Sequence, residues 1–332
     1  MQRVYIFIIC IPLVLSCWNK QNNDVTRPLI PNYIFSGQAV DMDSAEPLPG
    51  ISIKLQGVNM LYEKDFGTQV LQTDSLGMFA FDSVYPGSYN LSMERNGFFI
   101  NETKFEMSHR DSSALLLVPK IMIAHPFSLG SSSNEPTLAI SSTKAWKLTH
   151  SNSQNTNYPN ATVYVYKLSD QVRWRLDAQY DRTITTQKIF CMAFGRDHVY
   201  FTVYPDTLYA LNLYDASIAG HFSVGKNIHG IAFHIGKRSL VTCSRNFIYV
   251  HDQEKPAQIV QTYQVDSQEL LALAYNKVLY AWDSGDHLLK ALDDEMRITG
   301  NYALISSESE QQVTNINDMD FDGYGELWVS QY

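Results

Sequence analysis

The sequence predicts an all-β chain: an N-terminal β-sandwich followed by a β-propeller-like repeat domain. Three observations predict it. A short apolar phrase returns through the second half as Ile189-Phe-Cys-Met-Ala-Phe194, Ile228-His-Gly-Ile-Ala-Phe233 and Leu270-Leu-Ala-Leu-Ala-Tyr275, with a weaker copy at Ile316-Asn-Asp-Met-Asp-Phe321. The copies recur at roughly 40–45 residues, the period of a propeller blade. Each copy is followed by a turn and further alternating runs, as in His198-Val-Tyr-Phe-Thr-Val203 and then Thr207-Leu-Tyr-Ala-Leu-Asn-Leu213. Residues 33–119 instead carry short alternating runs broken by Pro, Gly and Asp, the pattern of a sandwich.

Composition agrees. The 332 residues are 45% hydrophobic and only 18% charged, and the 20 tyrosines suit half-exposed pleated surfaces. A net charge of -9 without a basic patch argues against a nucleic-acid partner, because phosphate binding needs clustered Lys and Arg.

At the start, one Arg3, an apolar run from Val4 to Leu15 and then Ser16-Cys17 make a secretory signal, too short for a comfortable membrane span. Val14-Leu-Ser-Cys17 resembles the lipobox of bacterial lipoproteins. That resemblance implies a signal peptide over 1–16 and lipid attachment at Cys17. The chain would then be anchored in the cell envelope, on the periplasmic face or at the outer membrane. Residues 17–32 read as a polar tether.

The sandwich is assigned to 33–119. Ser36-Gly37 to Val40, Pro47-Leu-Pro-Gly-Ile-Ser-Ile53, Thr73-Asp74 to Gly77, the run with Phe79 and Phe81, and Pro86-Gly-Ser-Tyr89 together resemble the carboxypeptidase regulatory-like domain. That family is a transthyretin-like (prealbumin-like) seven-strand sandwich and a non-catalytic accessory module. Gly77 and Gly87 are expected at turns that need unusual backbone angles, and Tyr89 is expected to point inward.

Residues 120–136 read as a linker with one apolar run, Ile121-Met-Ile-Ala124, and the repeats occupy 137–332. Residues 137–168 look like a degenerate first blade, which gives about four blades plus two strands of a fifth. Three closures stay open: a strand from 120–127 or 178–190 completes the last blade, the chain is cut short, or a partner closes the ring. The blades resemble the loose group of NHL-like and quinoprotein-like bacterial propellers, a fold that hosts binders and enzymes alike.

Candidate chemistry is sparse. Asn227 and His229, Asp266 and Glu269, and Asn315 stand just before inner strands, where propellers line their central channel. They are the candidate ligand-binding residues. Asp318, Asp320 and Asp322, with Gly323 next, begin like a calcium loop, but Val329 holds the twelfth position where a bidentate glutamate is needed. They are therefore read as a strand end and turn, with calcium the minority alternative and no cofactor predicted. No nucleophile elbow or Cys–His pair is found, so no catalytic residue is assigned. His198, His221, His251 and His287 fall near turns and read as solvated. Cys191 and Cys243 read as buried thiols, with a disulfide left open. The expected role is non-enzymatic, a membrane-anchored surface for a protein or carbohydrate ligand. The alternative is a metal-dependent hydrolase or lyase using the channel.

Overall fold

A computed structural model describes residues 33–58, 67–96, 98–107, 111–126, 137–140, 144–150, 160–169, 173–183, 189–322 and 324–331. The secretory signal, Cys17 and the tether lie outside the described residues. Among the described residues no helix is long and apolar enough to cross a membrane.

The first seven strands form the sandwich. They are β1 (Tyr33–Asp41), β2 (Ser52–Val58), β3 (Thr68–Gln72), β4 (Met78–Val84), β5 (Gly87–Arg95), β6 (Phe98–Met107) and β7 (Asp111–Val118). One sheet has the order β4-β1-β7 and the other β3-β2-β5-β6. Alternation dictates which side chains meet between them: Phe35, Ile53, Leu55, Phe79, Phe81, Leu91 and Met93 are all buried. Tyr89 is completely buried as expected, and its hydroxyl donates to the Tyr85 carbonyl at 2.7 Å. Gly77 has φ +71°, and a side chain there would meet the Ala39 carbonyl at 2.5 Å. Glycine alone fits that turn.

Three four-stranded sheets follow, one per repeat, and a fourth set of four strands forms one side of a seven-stranded sheet. The first holds β9 (Thr137–Ile140), β10 (Lys144–His150), β11 (Asn160–Ser169) and β12 (Arg173–Thr183). The second holds β13 (Ile189–Phe194), β14 (His198–Val203), β15 (Thr207–Asn212) and β16 (Ile218–Ser223). The third holds β17 (Ile231–His234), β18 (Ser239–Ser244), β19 (Phe247–His251) and β20 (Ile259–Gln264). The fourth holds β21 (Leu270–Asn276), β22 (Val278–Asp283), β23 (Leu288–Leu292) and β24 (Ile298–Ser306). Each recurring phrase supplies the innermost strand of its sheet.

The last copy supplies β25 (Asp318–Phe321), paired with β26 (Leu327–Ser330). The missing strand is β8 (Lys120–Pro126), which runs parallel to β26 on one side and to β24 on the other. The first seven residues of the expected linker are therefore a strand, and the first of the three closures is the one observed. Its apolar run Ile121-Met-Ile-Ala124 fits a place between two strands. The inner strands touch in the cycle β9, β13, β17, β21, β25 and back to β9, so the ring of five closes.

The sandwich is not a free appendage. Only Pro119 separates β7 from β8, and Leu288 and Ala303 of the fourth set are buried in the same cluster as the sandwich core. Asp43 accepts from the Asn301 backbone N–H at 3.0 Å and its side-chain amide at 2.8 Å, and pairs with Lys120 at 2.9 Å.

Candidate functional site

Five inner strands running the same way give the ring two unlike ends. Asn227, His229, Asp266, Glu269 and Asn315 all precede inner strands and so gather at the entry end. Asn227, Asp266, Glu269 and Asn315 are exposed and His229 is half-buried. The His229 ring lies 4.5 Å from the Phe190 ring, and its carbonyl accepts from the Thr202 hydroxyl. The Glu269 carboxylate accepts from the Ser284 hydroxyl at 3.1 Å.

Behind that rim lies Asp283, with no exposure. It accepts from the backbone N–H groups of Gln268 (3.0 Å), Glu269 (2.9 Å) and Gly285 (3.0 Å) and pairs with buried Lys290 at 3.3 Å. Burial pushes its carboxyl up, but the three N–H donors and Lys290 outweigh it and hold the carboxyl below its ordinary value.

The middle of the axis is closed by direct contact. Asp318 is completely buried, and one carboxylate oxygen accepts from Leu138 of β9 and Met192 of β13, both at 2.8 Å. It thus ties the last inner strand to the first two. The Cys191 thiol lies 3.2 Å from the Asn317 carbonyl and 3.5 Å from that of Leu271. Cys191 and Cys243 are both buried, free thiols. Burial pushes the Cys243 thiol up to about 12, so neither position suits an attacking thiolate.

The exit end is different. There a cavity of about 480 Å³ is lined by Ile140, Ala193, Phe194, Ala232, Phe233, Tyr275, Asn276, Asp320, Phe321 and neighbours. All five inner strands contribute to it. Phe194, Phe233, Tyr275 and Phe321 are the final residues of the four repeated phrases. The repeat itself therefore places an aromatic residue at this mouth from four of the five inner strands. That regularity is visible in the sequence, but it reads as strand packing until the direction of the strands around the axis is known.

Asp320 supplies the carboxylate of the cavity. It accepts from Ile140 N–H at 2.8 Å and Phe321 N–H at 2.9 Å. Burial, only partly offset by these two donors, pushes its carboxyl up to about 7. Asp318 is likewise pushed well above its ordinary value by burial, against the pull of Leu138 and Met192 N–H and with the Asp320 charge adding to the rise. Asp322 faces the β25–β26 turn. It accepts from Tyr324 N–H, Glu326 N–H and the Trp328 ring N–H at 2.9, 3.0 and 3.1 Å. The three aspartates of the calcium-like phrase thus serve three separate sets of donors. Among the described residues no group of three or more His, Cys, Asp or Glu is placed to hold a metal.

Beside the cavity, a groove of about 770 Å³ runs between the second and third sheets. It is lined by Arg196, Asp197, His198, Arg238, Asp252 and Glu254 among others. Phe233 and Ile235 belong to both, so cavity and groove form one continuous surface. His234, beneath it, is buried and held below its ordinary value by that burial; its ring lies 4.4 Å from that of Tyr275. His251, expected in solvent, is instead fully buried between the Thr242 hydroxyl (2.8 Å) and the Pro256 carbonyl (2.6 Å). A strand position in the third sheet overrides its nearness to a turn.

No family model and no curated protein matches the chain. Among solved structures, the glutaminyl cyclase of Myxococcus xanthus is similar at 16% identity, over 64% of this chain and 93% of that one, with a TM-score of 0.47. The WD40 β-propeller domain of Doa1 is similar at 10% identity, over 61% and 91%, with a TM-score of 0.40. The WD40 domain of Toxoplasma gondii coronin is similar at 12% identity, over 53% and 50%, with a TM-score of 0.36. The chain is all-β with a propeller region.

Proposed function

We propose that the protein is a non-enzymatic, lipid-anchored component of a bacterial cell envelope that presents the exit face of its propeller to a ligand or partner. The observation that carries this reading is the continuity of cavity and groove through Phe233 and Ile235. A pocket of this size, mostly apolar with a few placed polar groups, has the usual make-up of a binding site. Ile235 is 67% exposed at the junction, an apolar side chain held in water where a ligand would cover it. The anchor rests on the apolar run and Ser16-Cys17, and the sandwich, carboxypeptidase regulatory-like in its phrases, serves as the spacer between tether and propeller.

The test is a screen of peptide and oligosaccharide libraries against the protein and an Ile235→Asp variant. Binding that disappears in the variant supports the exit face, and binding that survives it places the site elsewhere. Cys17→Ala should release the protein from membranes; a variant still membrane-bound overturns the lipid anchor.

A second reading, a hydrolase or lyase working in the same cavity, draws on Asp320. A carboxyl poised near neutrality in a cleft suits proton transfer. Native mass spectrometry with elemental analysis separates its metal-dependent form from the binder: one bound metal per chain favours the enzyme.

A further inference from the structure

We propose that the exit cavity is a pocket for an alkylammonium group, presented by a lysine side chain of a peptide lying in the adjoining groove. The inference rests on the exit-face reading and specifies its ligand. Three observations converge on it.

The first is the aromatic lining. Phe194, Phe233, Tyr275 and Phe321 come from four different inner strands, and the first three are only half-buried, so they remain open to a ligand. Aromatic faces attract a cation through their negative quadrupole, and they accept the methylenes that precede it.

The second is the Asp320 carboxylate in the same lining. Its two recorded donors are backbone N–H groups, and among the described residues it forms no ion pair with Lys or Arg. Two donors leave lone pairs on both oxygens for a further one. A carboxylate largely withdrawn from water is costly without a nearby cation, and no described Lys or Arg supplies one. The other charged or titratable groups in or beside the lining are Asp318 on β25, Asp322 just after it, Tyr275 on β21, Lys277 at the β21–β22 turn and His234 on β17. Only Lys277 is a cation at ordinary pH, and it is exposed at the rim.

The third is the groove. It continues from the cavity past Phe233 and Ile235 and offers groups of both signs: Arg196, Arg238, Asp197, Asp252 and Glu254. Such a lining suits a polypeptide backbone and mixed side chains, while the cavity at its end takes one side chain.

The probes are an end-blocked Ala-Ala-Lys-Ala-Ala peptide, the same peptide with the lysine acetylated, and n-butylammonium, each titrated calorimetrically at pH 8. The lysine peptide should bind at least about tenfold tighter than its acetylated form, because acetylation removes the charge and with it the cation–π and ion-pair donor. Tighter binding of the peptide than of butylammonium assigns the ammonium to a peptide; equal affinities assign the pocket to free amines and overturn the peptide. The preference for lysine should shrink severalfold from pH 8 to pH 6 as Asp320 takes up a proton, and should vanish in Asp320→Asn. Lys277→Glu, at an exposed turn tip away from the core, should strengthen binding about threefold and guards against a misfolded Asp320 variant. Equal affinity for lysine and acetyl-lysine peptides, still lost in Ile235→Asp, overturns the ammonium pocket while leaving the binding face intact. Absence of lysine-peptide binding, alongside library hits that Ile235→Asp abolishes, does the same.

Discussion

The two ends of the propeller treat a buried aspartate in opposite ways. At the entry end Asp283 has no exposure yet ionises readily, because three N–H donors and the Lys290 ammonium surround it. Along the axis and at the exit end Asp318 and Asp320 also accept backbone N–H bonds, but among the described residues neither pairs with Lys or Arg, and both are pushed upward. Asp283 owes its lowered value first to its three backbone donors and last to Lys290, whereas two donors at Asp320 do not offset its burial. The entry end is therefore electrostatically complete. The exit end carries a carboxylate with no Lys or Arg partner among the described residues, and the exit-face proposal rests on this contrast.

The largest effect should come from breaking the complete end. Lys290→Met removes the ammonium that lies 3.3 Å from Asp283 and 2.7 Å from Asp286. It leaves Asp283 ionised and buried, at an expected cost of about 3–5 kcal/mol in urea unfolding. The double variant with Asp283→Asn should recover part of that loss, since the charge is then gone as well. A Lys290→Met protein as stable as the parent would mean that the N–H donors suffice, and the contrast between the ends would collapse.

A smaller effect, of opposite sign, should come from the exit end. Asp320 has its folded value raised to about 7, above the unfolded value. Its stabilising contribution is therefore fully present below the unfolded value, near pH 4, and is lost as pH rises through 7. Asp283, with its value lowered, works the other way: its contribution is present above the unfolded value and is lost as pH falls through the folded one. His234 and His251, both held low by burial, tilt the window below pH 6.5 against Asp320. The readout is accordingly a difference. Subtracting Asp320→Asn from the parent should leave a stability term that declines by about 3–4 kcal/mol from pH 4 to pH 8. A flat difference would show that Asp320 is ionised without penalty.

Much of this architecture was legible because it is periodic. The returning phrase located the inner strands, and alternation located the sandwich core at Phe79, Phe81 and Tyr89. The ring closure was legible only as one of three options. Ile121-Met-Ile-Ala124 is too short a run to announce its partners, and those partners, β24 and β26, lie some 180 residues downstream. The exit cavity leaves little trace in the sequence for a similar reason. Polar residues before each inner strand are visible as a pattern, whereas Asp320 gains its meaning from Ile140 on a distant strand and from aromatic residues on three other inner strands. Non-local contacts of that kind leave no local signal. The terminal aromatic of each phrase was the one available clue.

The smallest expected effect is also the one that tests the two ends against each other most directly. Glu269 is an exposed entry-end residue whose carboxylate holds the Ser284 hydroxyl at 3.1 Å. Its backbone N–H, which a substitution keeps, is what anchors Asp283. Glu269→Ala should therefore cost less than about 0.5 kcal/mol, the ordinary range for a surface change. Under the exit-face reading it should leave ligand affinity unchanged, because the axis between the ends is closed by Asp318 and its bonds to Leu138 and Met192. Glu269→Ala paired with Ile235→Asp in one binding assay makes the contrast decisive. If the Glu269 variant loses the ligand and the Ile235 variant keeps it, the entry rim of Asn227, His229, Asp266, Glu269 and Asn315 is the working surface. The exit cavity would then be a by-product of the way five inner strands splay apart.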